Sequence, residues 1–333
     1  MNNQPQALKK HRLWRIVWPL LTIGIAMLLM INARTLVDYY FWLTFKPSSE
    51  MQQLIDRVGL TDTGTRILYS ARPELKDSAK FNDVCRNNES TTSITGCYTS
   101  GQIYVFNVTN QDLDGIKETT LAHELLHATY ARLSSNDRAR VNDWVEAAYK
   151  SCNSKDLQGR FDEYYNQYEP SERDNELYAI FGTECKDLPN SLEAHYDQFF
   201  KNRAEILTMH AAYIGAFNDL ETRGNELVKE LEDLADSINQ QTTTYNDASA
   251  ELEKEIGDFN DRANRGAFAD QASFEAERAV LVAEVDRLNT LRQQILNDTS
   301  AYNQKKAELE KISVRIQTLN NSINSTLVPT PSV

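Results

Sequence analysis

The sequence predicts an α+β domain set between one apolar N-terminal helix and a long α-helical hairpin. Three observations predict this. An apolar run over residues 16–31 follows four basic residues, Lys9, Lys10, Arg12 and Arg15. Residues from about 50 to 200 mix strand-like and helix-like patterns. From Ile206 onward, apolar residues recur in steps of four and three, which is a heptad seam. With 333 residues and 41% hydrophobic content, the chain is long enough to bury one compact core and something beside it. Its formal charge of -13 and the lack of a basic stripe exclude the phosphate backbone as a partner, so no nucleic acid is expected.

The N-terminal run, counted with Leu13 and Trp14, has about the length that crosses a bilayer core. The sequence predicts a transmembrane anchor over residues 13–33 and a basic cytoplasmic tail over residues 1–12, because basic flanks stay inside. The expected location is the cell membrane, single-pass, with the bulk of the chain extracytoplasmic. A cleaved signal peptide is the rival, but the run is long for an h-region and no clean A-x-A site follows. Residues 33–49 read as a juxtamembrane segment whose Tyr39, Tyr40, Phe41 and Trp42 suit a membrane interface.

The domain is expected over residues 50–200. RILYSA, residues 66–71, and QIYVFNV, residues 102–108, look like strands because β-branched and aromatic residues cluster there. Helices are expected over residues 116–133, from Ser135 to about Cys152, and from near Ser171, where Ser-Glu-Arg-Asp gives a capping-box-like start.

The hairpin is expected over residues 201–327. Its first seam runs through Ile206, His210, Tyr213, Phe217, Leu220, Gly224, Leu227, Leu231, Leu234 and Ile238, weakens over residues 240–247 and resumes at Leu252, Ile256 and Phe259. Residues 261–273 interrupt it, and a second seam runs from Phe274 to Ile323. An antiparallel coiled-coil hairpin and one continuous rod in an oligomer both stand open, and either offers a surface for a coiled-coil partner or self-association. His210 falls on the seam and reads as packing. The Pro-rich residues 328–333 form a flexible tail.

Four cysteines in an exported chain suggest a disulfide bond or two, most simply Cys85–Cys97 and Cys152–Cys185, although four cysteines allow three pairings. Their spacings fit neither a zinc finger nor a C-x-x-C redox pair.

The most informative stretch is TTLAHELLHATYARL, residues 119–133. His123 and His127, at i and i+4, lie on one helical face and can converge on one ion. A catalytic Zn2+ takes three protein ligands and leaves one position for water. Glu124 stands beside the pair, placed to act as general base. Only five histidines occur in the chain, and two of them form this motif. Its bland rival is a helix carrying two solvent-facing histidines beside an incidental Glu.

His123-Glu124-x-x-His127 on a helix, preceded by strand-like QIYVFNV, resembles the zincin class of zinc metallopeptidases over at most residues 60–200. The resemblance implies an α+β zincin-like metallopeptidase domain in which an edge strand, here residues 102–108, binds extended substrate. No third His follows at metzincin spacing, because Ala128-Thr129-Tyr130-Ala131-Arg132 stands there. The gluzincin pattern instead implies a Glu from a later helix. NELYAIFG, residues 175–182, has that look, which makes Glu176 the expected third zinc ligand. Glu172, Glu184, Glu163 and Asp162 are its rivals, and a helix-dipole role for Glu176 is the bland alternative. A Cys152–Cys185 bridge would clip this helix to its predecessor. His195, Tyr178 and Tyr196 are candidate oxyanion donors by residue type, and the tyrosines of residues 161–170 are candidates to line a cleft. The expected function is a membrane-anchored extracytoplasmic zinc-dependent endopeptidase (a hydrolase) acting on a peptide or protein substrate. The alternatives are a non-catalytic anchored coiled-coil scaffold with a structural or degenerate metal module, and hydrolysis of a non-peptide target such as a cell-wall cross-link.

Overall fold

The structure is a computed structural model that describes residues 10–85, 94–151 and 172–325. It is mostly helical with one small sheet. The chain divides into two compact units, Met1–Ile214 with Asn321–Val333, and Gly215–Asn320.

In the first unit, α1 (Lys10–Ile31) and α2 (Ala33–Thr44) precede α3 (Ser49–Val58) and α4 (Asp62–Ser70). Polar caps fix the starts of the short helices. Ser48 accepts from the Met51 N–H, Thr61 from the Gly64 N–H, and Asp77 does the same for Lys80 at α5 (Ser78–Val84). The sheet consists of β1 (Glu74–Lys76), β2 (Gly96–Thr99) and β3 (Gln102–Phe106), in the order β1-β3-β2. β1 pairs parallel with β3, and β2 pairs antiparallel with it, Cys97 opposite Tyr104. The β2–β3 turn places Ser100 and Gly101 at φ of 51° and 77°, the two positive values that a tight hairpin of matching twist needs.

α6 (Ile116–Tyr130) runs through the middle of the core, and α7 (Ser135–Ser151), α8 (Arg173–Thr183) and α9 (Asn190–Tyr196) complete the bundle. Leu121, Ala122, Leu125, Leu126 and Ala128 of α6 are all buried in one cluster with Ile103, Val105, Leu177, Phe181 and Tyr196. Gly115 caps α6 at φ +96°, and a Cβ there would lie 2.7 Å from the Met209 carbonyl, so both backbone and space require glycine. Arg57 of α3 ties down the same end, reaching the buried Glu118 at 2.6 Å and Asp114 at 2.9 Å.

Several expectations need correction. Residues 66–71 are not a strand: Arg66 to Ser70 form the second half of α4 and Ala71 is its C-cap. The Thr61 cap and the i, i+4 burial of Gly64 and Leu68 outweigh the β-branched and aromatic composition. Residues 102–108 contain a strand, but β3 is central and paired on both sides, so it has no free edge for an extended peptide. Among the described residues, β2 is the outer strand on the α6 side. Ser171 lies outside the described residues, and Glu172, at the N-cap of α8, makes no side-chain cap bond.

Among the described residues no single helix is long and apolar enough to cross a membrane by itself. Val17–Met30 and Ala33–Thr44, bent by 61°, meet the length and composition requirement only together.

The second unit holds the long part of α10 (Arg203–Asn264) and most of α11 (Gln271–Ile323). The helix is continuous through residues 240–247, where the seam weakens, and the break is shorter than the sequence suggests, residues 265–270. Asp270 restarts the chain by accepting from the Ser273 N–H at 2.8 Å. Ion pairs and hydrogen bonds link early α10 to late α11 and late α10 to early α11: Arg223 to Glu308 at 2.9 Å, Gln241 to Asp298 at 2.8 Å, and Arg262 to Glu277. The two helices therefore run antiparallel. Leu227, Leu252, Phe259, Leu288, Ile312 and Leu319 are their buried positions.

Candidate metal centre

His123 and His127 leave α6 on the same face, one turn apart, and their Nε2 atoms lie 3.1 Å from each other. Glu176, in the first turn of α8, points into the same space. Its Oε2 is 3.6 Å from His123 Nε2 and its Oε1 is 3.5 Å from His127 Nε2. One donor atom from each residue falls within 4.8 Å of the others, so the trio could hold a metal ion.

The closeness of α8 to α6 makes this convergence. Gly182, on α8, faces Leu126, and a Cβ there would come within 2.2 Å of Leu126 Cδ1 and 3.1 Å of the Tyr196 ring. Ala179 lies one turn earlier and is fully buried. Small residues at these two positions let the helices approach, and that approach carries Glu176 to the histidines.

Asn175 sets the tautomer of His127. His127 Nδ1–H donates to Asn175 Oδ1 at 3.0 Å, and the Asn175 amide is oriented by donating to Glu172 Oε2 at 3.1 Å. His127 therefore turns the lone pair of Nε2 toward the shared point. Two imidazole nitrogens at 3.1 Å need a proton or a cation between them, and a divalent ion fits two nitrogen donors and a carboxylate.

Glu124 lies beside the trio and is buried. Its carboxyl is pushed up to about 7, chiefly by burial, with His127 opposing the shift and Glu176 adding to it. It sits against β2: a Cβ on Gly96 would lie 2.6 Å from Glu124 Oε1 and 2.5 Å from Thr120 Cγ2. The hydroxyls of Thr95, just before β2, and Thr120 of α6 lie 2.9 Å apart and hold the start of the strand to α6. The Cys85–Cys97 disulfide forms, with Cα atoms 5.9 Å apart, and anchors β2 to the end of α5.

Other expected site residues lie elsewhere. Tyr178 is fully buried, and its hydroxyl is 3.0 Å from His195 Nε2. Two residues on from Glu176, it faces the opposite side of α8, so it cannot donate to an oxyanion at the trio. Burial pulls the His195 imidazole down to about 4, the nearby Arg140 adding to this and Asp137 opposing it. The Tyr196 hydroxyl donates to the Tyr178 carbonyl at 2.7 Å. These three rings are core. Glu172 is occupied with Asn175, and Glu184 lies 3.7 Å from His210, which packs edge-on against Tyr213. Asp162, Glu163, Cys152 and the tyrosines of residues 161–170 lie outside the described residues. The sequence pattern alone does not single out Asn175, Gly96 or Gly182, because their roles depend on how α8 and β2 pack against α6.

Compared with family models, with curated proteins and with solved structures, the chain matches none.

Proposed function

We propose that the protein is a membrane-anchored, extracytoplasmic zinc-dependent endopeptidase of gluzincin type. The observation that carries this reading is the meeting of His123, His127 and Glu176 at one point with Glu124 beside them. The scaffold alternative, with a purely structural metal, leaves the buried Glu124 without a role. Burying a carboxyl beside the trio costs stability, and a catalytic role explains why the cost is tolerated.

His123, His127 and Glu176 would hold the ion, and Asn175 would keep His127 in the ligating tautomer. Bound zinc supplies Lewis acidity, which brings the pKa of a water from 15.7 to about 7. Glu124 takes the proton of the attacking water and returns it to the leaving amine. Gly96 leaves the space in which the Glu124 carboxylate turns. The outer strand β2, rather than β3, is the edge on which extended substrate lies, because its Gly96 is so close to Glu124 that a Cβ there would meet the carboxylate. The helical hairpin, read as a coiled coil, positions the enzyme or its assembly.

Two measurements on the purified chain test this together. One zinc per chain, lost in His123→Ala and Glu176→Ala, is expected. Glu124→Gln should keep the zinc and lose roughly 10²–10⁴-fold in hydrolysis of casein. A folded parent that takes up no zinc, or a Glu124→Gln variant as active as the parent, overturns the reading.

A further inference from the structure

α2 has two faces with different fates. One face clamps the domain. Asp38 forms a two-pronged ion pair with Arg132, at 2.7 and 2.8 Å, and the Asp38 carbonyl accepts from the Ser70 hydroxyl at 2.7 Å. Arg72 lies over the Phe41 ring, and Phe45, just past the helix, packs edge-on against Tyr69. Arg34 donates to the Ala131 carbonyl at 2.7 Å. Both charged residues of α2 are thus engaged by the domain. The opposite face carries Leu36, Tyr40 and Leu43 at 48%, 61% and 61% exposure, spaced i, i+4 and i+7, with Val37 and Tyr39 beside them. It carries no charge.

The occupant of this face follows from its neighbour. α1 exposes apolar side chains all round, Trp18, Leu21 and Ile25 on one side and Leu20, Ile23 and Met27 on the other. A helix apolar on every side suits lipid. The whole of α1, Lys10–Ile31, carries the anchor that the proposed function assumes, and the chain bends by 61° between its Val17–Met30 stretch and α2, so a helix leaving a bilayer along α1 would continue near its surface along α2. α2 cannot itself lie in hydrocarbon, since its Asp38 is ion-paired to the domain. Tyrosine beside leucine on an uncharged face is the composition of the headgroup boundary.

We propose that the outward face of α2, Leu36, Val37, Tyr39, Tyr40 and Leu43, seats in the lipid–water boundary and holds the metal-site domain against the membrane at a fixed tilt. This rests on the anchor part of the proposed function and not on the zinc chemistry. The domain is then confined to substrates that present an extended segment close to the bilayer.

The test uses the full chain in phosphatidylcholine–phosphatidylglycerol vesicles, with photoreactive p-benzoylphenylalanine in place of Ile25 in one variant and Tyr40 in another. Lipid adducts at both positions are expected, with loss of the position-40 adduct in Leu36→Ser with Leu43→Ser. A lipid adduct at position 25 with none at position 40, or with a position-40 adduct to a second copy of the chain, overturns the proposal while the anchor stands. No lipid adduct at either position overturns both.

Discussion

In the proposed zinc site, Asn175 is the residue that orients His127. Its side-chain oxygen accepts from His127 Nδ1–H and so selects the tautomer whose Nε2 lone pair faces His123 and Glu176. Asn175→Ala is expected to weaken zinc binding about 10–100-fold, the usual range for a lost outer-shell partner. Asn175→Asp keeps an acceptor and should restore most of the affinity. A competition titration of the two variants decides the matter; if both bind zinc like the parent, the hydrogen bond has no orienting role. The His123–His127 pairing was legible in the sequence because the helical period dictates it. Asn175 was not, because its role depends on how α8 is rotated against α6. The same rotation explains Tyr178: the helix face that brings Glu176 to the histidines sends Tyr178 into the core beside His195. Residue type alone made both look suitable.

Between elements, the close packing of α6 and α8 is the decisive contact. Gly182→Ala puts a methyl within 2.2 Å of Leu126 Cδ1, and Leu126 is fully buried, so its side chain must shift within the core. The cost should be about 1–3 kcal/mol of stability, as for other overpacked core sites. The variant should lose zinc affinity as well, since separating the helices withdraws Glu176. Denaturant melts and zinc titration of the same samples check this; a variant that keeps both properties means that the helices adjust without moving the ligand. Helices α6 and α7 and strand β3 were legible because long periodic or strongly β-branched segments announce themselves. Residues 66–71 were misread because a Thr61 cap five residues upstream, with burial at Gly64 and Leu68, decides for helix against local composition. The expected edge position of residues 102–108 fails for a related reason. Which strand is central depends on the β1–β3 pairing across a gap of 25 residues, and no local pattern encodes it.

For the whole molecule, His123, His127 and Glu176 all belong to the unit Met1–Ile214, although they come from two helices that share one core with α3 and α9. An ion held by this trio would link metal binding to the folding of this unit. An ion that binds the folded chain and not the unfolded one stabilises it by RT ln(1 + [L]/Kd), about 4.1 kcal/mol at a thousand times Kd. For a unit of roughly 200 residues, each kcal/mol moves Tm by about 2–4 °C, so zinc should raise the melting of this unit by roughly 8–16 °C. Chelator should abolish the rise, and His123→Ala should melt like the chelated parent. The second unit, Gly215–Asn320, contains none of the three ligands, so it serves as an internal reference. In its melting, buried Leu227, Leu288 and Ile312 and the Arg223–Glu308 pair give way, and zinc touches none of these. Calorimetry of the full chain with zinc and with chelator separates the outcomes. A zinc-dependent shift in one transition with the other fixed places the ion in the α6–α8 centre. A scan unchanged by zinc would mean that the trio holds no ion tightly enough to matter, and the hydrolytic reading would fall with it.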